Sequence, residues 1–254
     1  MKLTLAALCG FAFVAGFVDA VAGGGGLIQV PALLVLLPQT PLPTIFGTNK
    51  FSSVWGTSLA AVQYARRVPI HWAVVLPAAF SALIFSYAGS WTLGQLSSEF
   101  LRPYVLAMLV VVLLYTLWNK NLGAVHAPRF GGRIQITLGI LIGALLGFYD
   151  GFFGPGAGSF LIFAFVGVLG FDFLAASATA KIINVVTNLA SLAYFSSTGH
   201  ILYGTAIAMA VCNAAGGWLG SHLAIRKGNR FVRTVLILMS SALLLRLGWD
   251  ALRP

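Results

Sequence analysis

The chain has 254 residues, of which 59% are hydrophobic and only 8% charged; 15 Lys and Arg stand against 5 Asp and Glu, for a formal net charge of +10 and a mean hydropathy of +0.94. A soluble domain covers itself with roughly 25% charged residues, so this composition excludes a water-facing surface over most of the chain and points to lipid as its solvent. The positive charge lies in short clusters between apolar segments and not in a stripe along a polar face, which sets aside nucleic-acid binding in favour of the cationic bias of cytoplasmic membrane loops.

The first apolar run, 3–22, follows Lys2 and ends on Ala20-Val21-Ala22, an imitation of a secretory signal with its cleavage site. The residues around that site recur in mid-chain, so the run is expected to remain as a first membrane segment. Further apolar stretches follow at 27–37, 44–65, 72–91 and 104–118, and after a linker at 134–153, 159–170, 175–195, 201–224 and 232–247. A helix needs ~20 residues to cross a bilayer. The stretches 27–37 and 159–170 are too short for that and are expected as half-helices or re-entrant arms. Each follows a glycine cluster, Gly23-Gly24-Gly25-Gly26 and Gly154-Pro155-Gly156-Ala157-Gly158. Glycine tolerates unusual dihedrals and proline lacks an amide donor, so both clusters favour broken backbone. Broken backbone at membrane depth persists only where it is buried in protein or lines a wet cavity, so the breaks should point inward.

The two halves repeat. Asp19 and Asp150 lie 131 positions apart, and the same offset without a gap relates Gly16 to Gly147, Phe17 to Phe148, Gly23 to Gly154, Gly25 to Gly156, Thr48 to Thr179, Lys50 to Lys181 and Gly89-Ser90 to Gly220-Ser221. Matching glycines mean little in Gly-rich segments. A coincident Asp pair and Lys pair, in a chain with five acids and five lysines, argue for duplication. The expected organisation is a first membrane repeat over 1–118, a basic cytoplasmic linker over 119–133 with Lys120, Arg129 and Arg133, and a second repeat over 134–254. The cationic loops Arg66-Arg67 and Arg226-Lys227-Gly228-Asn229-Arg230 have uncharged Ser197-Thr198 and the base-free 95–99 stretch at their repeat-equivalent positions. Equivalent loops of opposite basicity are the mark of an inverted repeat, here of about five segments per half with both termini outside. The fold class is thus an all-α polytopic membrane protein of two inverted homologous repeats.

The runs Gly16-Phe17-Val18-Asp19-Ala20-Val21-Ala22-Gly23-Gly24-Gly25-Gly26, Thr48-Asn49-Lys50 and Gly147-Phe148-Tyr149-Asp150-Gly151-Phe152-Phe153-Gly154-Pro155-Gly156 resemble the TauE/SafE sulfite exporter family, also called the toluene sulfonate uptake permeases, and within it the YfcA-like branch. The resemblance spans nearly the whole chain. It implies a prokaryotic secondary transporter, in the bacterial inner membrane, of small anions such as sulfite or organosulfonates, often directed outward.

Lys50 and Lys181 fall inside apolar segments, where a charge at the bilayer centre costs at least ~2.5–3.5 kcal/mol. Either they face a cavity and attract an anionic solute, helped by the amides that open the half-helices, or they form internal salt bridges with Asp19 or Asp150. The two readings are compatible if solute competes for the pair. Asp19 and Asp150, one helical turn ahead of each break, either carry a coupling proton or accept hydrogen bonds from the freed amides, the second being favoured. Thr48, Asn49, Thr179, Asn184 and Asn188 could donate to solute oxygens, with Gln29 and Ser159 just past the breaks as weaker candidates; bonds to a neighbouring helix are the competing role for all of them. His71, His126, His200 and His222 show no paired ligand spacing, so no metal site is expected, and no cofactor either. Trp55, Trp72, Trp91, Trp118, Trp218 and Trp249 mostly lie near segment ends, as an aromatic belt would. Competing functions are an anion channel and, less favoured, a metal-cation transporter; neither His-Glu-x-x-His nor Gly-x-Ser-x-Gly is present to suggest an intramembrane enzyme. Partners are then a small anionic solute and membrane lipid, with a homo-oligomer left open.

Overall fold

The structure, a computed structural model, describes residues 2–97 and 129–251, with side chains as far as residue 235, Arg233 excepted. The expected segment 104–118, with Lys120, His126 and Trp118, lies outside the described residues, as do the side chains of 236–251, Trp249 among them. Among the described residues there are eight helices and no strand: α1 Lys2–Ala22, α2 Gly26–Leu36, α3 Leu42–Arg67, α4 Trp72–Gly94, α5 Gly132–Phe152, α6 Ala157–Gly167, α7 Phe173–Ser197 and α8 Tyr203–Ala251.

The glycine clusters break the chain where the sequence places them. Gly23, just past α1, has φ 76°, and Gly154, just past α5, has φ 90°. Both take the left-handed conformation that closes a helix and that a side chain would strain. The half-helices that follow, α2 and α6, have 11 residues each. At ~1.5 Å per residue each is ~16 Å long, about half of a ~30 Å hydrocarbon core. Asp172 starts α7 by accepting from the Leu174 and Ala175 amides, both at 2.9 Å, and Asn229 also accepts from the Leu174 amide at 2.8 Å.

Among the described residues four helices, α1, α4, α5 and α7, are long and apolar enough to cross a membrane. The expected membrane segment 44–65 becomes the 26-residue α3, which is long enough but too polar to stand with them by hydropathy. It carries Asn49, Lys50, Ser52 and Thr57 as buried groups. The segments expected at 201–224 and 232–247 join in one helical run whose regular backbone is interrupted only at Gly228, with φ 71° and ψ −165°.

The packing is symmetric under the 131-residue offset. The most extensive contacts are α1 with α8 and α4 with α5, followed by α3 with α8, α4 with α7 and α3 with α7. The 131-residue offset turns α1 into α5, α3 into α7 and α4 into the first part of α8, so each of these contacts is matched by its image or is its own. The match reaches single residues. A Cβ on Gly16 would overlap the Asn213 backbone, and one on Gly147 would overlap that of Ala82; a Cβ on Gly220 would overlap the Phe17 carbonyl, and one on Gly89 that of Phe148. Small residues let helix backbones approach this closely, the usual way in which helices associate in lipid. The innermost apolar side chains come from α6, α7 and the loop between them, such as Phe163, Phe165, Phe171 and Phe173, and from α2 and α3, such as Leu33, Ile45 and Phe46. The outer faces of α4, α5 and α8 expose Leu76, Phe80, Leu145, Ile207 and Val211. A lipid-facing surface accounts for so many exposed large apolar side chains; water would not.

Candidate functional site

The two breaks meet each other. The Ser159 amide, in the first turn of α6, donates to the Gly23 carbonyl at 3.1 Å, and the Ser159 hydroxyl donates to the Ala22 carbonyl at 2.7 Å. A Cβ on Gly23 would overlap Gly158, and one on Gly26 would lie 3.0 Å from Pro155 Cα. Carbonyls left over at the end of α1 thus find donors at the start of α6, which resolves the cost of ending a helix inside the protein. Neither α2 nor α6 has a side-chain cap at its N-terminus.

Beside this junction lies a cavity of about 30 Å³, lined by Asp19, Gly23 and Gly26, by Asn49, Lys50, Ser53 and Thr57 of α3, by Asp150, Gly154 and Gly158, and by Asn184 and Asn188 of α7. At ~10–15 Å³ per water it has room for about two waters.

The buried charges are paired across the halves. Lys50 Nζ lies 2.8 Å from Asp150 Oδ1, and Lys181 Nζ lies 2.9 Å from Asp19 Oδ2. The carboxylates also accept from threonines of their own half: Thr57 Oγ1 donates to Asp19 Oδ2 at 3.2 Å, and Thr187 Oγ1 donates to Asp150 Oδ2. An unpaired ion at this depth would be costly, and here each lysine has an aspartate. Of the two roles expected for the lysines, internal ion pairing is therefore present in the structure. The role favoured for the aspartates is corrected: their hydrogen bonds come from lysine and threonine side chains, and no bond from a freed backbone amide is found among the described residues.

The pairs are not equivalent in exposure. Lys50 lines the cavity, whereas Lys181 has no exposed side-chain surface and is not part of the lining; its partner Asp19 is, with 17% of its side chain exposed.

Of the other expected binding residues, Asn49, Asn184 and Asn188 line the cavity, and the Oδ1 atoms of Asn49 and Asn184 are buried without a hydrogen-bond partner. Gln29, Ser159, Thr48 and Thr179 do not line it. Gln29 Oε1 accepts from Asn213 Nδ2 at 3.0 Å, Ser159 ties the two breaks together, and Thr48 Oγ1 accepts from the Leu202 amide at 3.0 Å. Thr179 is buried in α7. These four hold helices to one another or sit in the core. Glycines 24, 25 and 156 and Pro155 shape the breaks without lining the cavity. Ser53 and Thr57 line it without being among the expected residues, although the duplication points to them: the 131-residue offset carries Ser53 to Asn184 and Thr57 to Asn188. Lys50, Ser53 and Thr57, like Lys181, Asn184 and Asn188, are spaced i, i+3, i+7, which puts them on one helix face.

Apolar helices broken by glycine, with the breaks meeting at a cavity lined by buried ion pairs, are the construction of a multi-pass membrane transport protein. The model of the family "Sulfite exporter TauE/SafE" matches residues 8–247, and the chain belongs to that family. It is 34% identical over 244 residues to a Sinorhizobium protein described as "Probable membrane transporter protein ORF9", covering 96% of this chain and 92% of that one. It is 32% identical to a Haemophilus influenzae protein described as "Probable membrane transporter protein", covering 97% and 95%. To "Probable membrane transporter protein YfcA" of Escherichia coli strain K12 it is 31% identical, covering 98% and 91%. No solved structure matches the chain.

Proposed function

We propose that this membrane transporter carries small anions, sulfite or short organosulfonates among them, as a secondary transporter of the bacterial inner membrane, and that its solute binds in the cavity between the two breaks. The observation that carries this reading is the position of Lys50: a buried ammonium lining a polar cavity that also takes in Gly26 and Gly158, in the first turns of the two half-helices. A helix N-terminus attracts negative charge through its free amides and its dipole. The ammonium and two such termini therefore favour an anion, with Asn49, Asn184, Asn188, Ser53 and Thr57 available to orient its oxygens. The halves are related as inverted repeats, with the cationic loops at 66–67 and 226–230 on the cytoplasmic side, and access alternates about the fixed central site.

The test is thermal stabilisation of the detergent-purified chain with sulfite, sulfate, thiosulfate, methanesulfonate, acetate and divalent cations in turn. Binding to the folded state raises stability as RT ln(1 + [L]/Kd), about 2.7 kcal/mol at a hundredfold excess over Kd. A rise with one class of anion that Lys50→Ala removes is the expected result. A rise with divalent cations alone would overturn the anion reading.

A further inference from the structure

We propose that solute binding is coupled to the uptake of one proton by Asp19. The inference rests on the anion reading above and adds what balances the anion's charge. Three ionisable groups line the cavity, Lys50, Asp19 and Asp150, and Lys181 is bonded to Asp19 from outside the lining; as paired the four sum to zero. A monoanion entering beside Lys50 would leave one uncompensated negative charge in a small, buried space, which a low-dielectric surrounding strongly disfavours. One positive charge must therefore arrive with it.

The two aspartates differ in their capacity to receive it. Asp150 has both oxygens engaged, Oδ1 by Lys50 and Oδ2 by Thr187. Asp19 takes Lys181 and Thr57 on the same oxygen, Oδ2, and among the described residues no hydrogen bond reaches its Oδ1. Its side chain is also the more open of the two, 17% exposed against 7% for Asp150, and it lines the cavity. Around Asp19, α7 presents Lys181, α3 presents Lys50, Thr57 and the Tyr64 phenol, which donates to the Ala20 carbonyl, and α5 presents Asp150. The helices α2 and α6 contain no titratable side chain, and α8 meets α1 through Asn213, Gly216 and Gly220. A proton on Asp19 Oδ1 needs no coordination shell, whereas a metal cation would have to give up its waters beside the Lys50 ammonium. In the loaded state Asp19 is neutral, Asp150 and the solute are negative, the two lysines are positive, and the sum is again zero. The proton is drawn from the solution that delivers the anion and is released on the other side with it.

The experiment uses the full chain in liposomes with a pH-sensitive dye inside and the membrane potential clamped. Methanesulfonate and ethanesulfonate serve as probes because both are monoanions and neither binds a proton near neutrality. The expected result is acidification of the interior by one proton for each anion that enters, and an anion affinity that weakens about tenfold per pH unit on the alkaline side. Asp19→Asn, a mimic of the protonated carboxyl, is expected to abolish both effects, and its melting temperature without solute is measured alongside because the change also takes the carboxylate from Lys181. Anion entry without acidification in the unaltered protein would overturn the coupling and leave the anion site standing. If neither probe enters and no anion raises the thermal stability, the anion reading falls and the coupling with it.

Discussion

Lys50 of the first half is bonded to Asp150 of the second at 2.8 Å, and its repeat image Lys181 is bonded to Asp19 of the first at 2.9 Å. The ion pairs therefore cross between the halves. Each one joins a long helix of one half, α3 or α7, to the helix that runs into the break of the other, so the buried charge that serves the cavity also locks the two halves together.

Removing one partner of such a pair leaves the other charged and unpaired in the interior, at a cost of ~3–5 kcal/mol. Lys50→Ala is expected to lower stability by that amount, and Lys50→Ala combined with Asp150→Ala to regain much of the loss. Unfolding of the two variants side by side checks this. A double variant less stable than Lys50→Ala would show that the pair is not coupled in the folded protein.

The threonines separate stability from binding. Thr57→Val and Thr187→Val each remove a hydrogen bond to a carboxylate and are expected to cost ~1.5–3 kcal/mol. Thr57 lines the cavity and Thr187 does not, so only Thr57→Val should also change the anion dependence of the melting temperature. Equal responses in both variants would place the solute elsewhere.

The junction of the breaks makes a demand on Gly23. Its φ of 76° and its contact with Gly158 both exclude a Cβ. Left-handed strain of ~1–2 kcal/mol and overpacking of ~1–3 kcal/mol together make Gly23→Ala destabilising by about 2–5 kcal/mol. Gly10, in the helix that leads to it, has nothing within 4 Å of a Cβ, and there Gly→Ala should stabilise by ~0.4–1 kcal/mol. Melting temperatures of the two variants should move in opposite directions.

Much of this organisation is legible in the sequence for a simple reason: charge is scarce. With so few acids and lysines, the shared offset of the Asp and Lys pairs is enough to single out the four residues that form the buried ion pairs, and the glycine clusters mark the breaks because few other residues tolerate those dihedrals. The direction of pairing is not legible. The offset relates Lys50 to Lys181 and Asp19 to Asp150 but is silent on which lysine meets which aspartate, since that depends on how the halves dock. Gln29 and Ser159 suggest themselves as ligands only by their closeness to the breaks along the chain. A helix turns ~100° per residue, so being near in sequence does not settle which face is presented, and both side chains point to partner helices. Ser53 and Thr57 escape a search by residue type because they differ from their images Asn184 and Asn188. The position repeats, and the side chain does not.

The asparagines and Gln29 give the sharpest test of where the cavity ends. Asn49 and Asn184 line it and have an oxygen without a partner, so Leu in place of either removes a group that contributes little to the fold as it stands. A bound anion would lose one oriented donor, the amide being free to turn its nitrogen inward. A lost hydrogen bond to a charged group is worth ~1.5 kcal/mol or more, so anion affinity should fall about tenfold or further. Gln29 is equally polar and fully buried, but its oxygen is bonded to Asn213 and it stands outside the lining. Gln29→Leu removes one of the two acceptors of the Asn213 amide, the Ala12 carbonyl being the other, and is expected to cost ~1–3 kcal/mol of stability while leaving the anion affinity of the folded protein unchanged. Anion titrations of the three variants, each referred to its own melting temperature without solute, separate the two effects. If Gln29→Leu weakens binding as much as Asn184→Leu does, the solute lies deeper toward α2 and α8 than the cavity between the breaks.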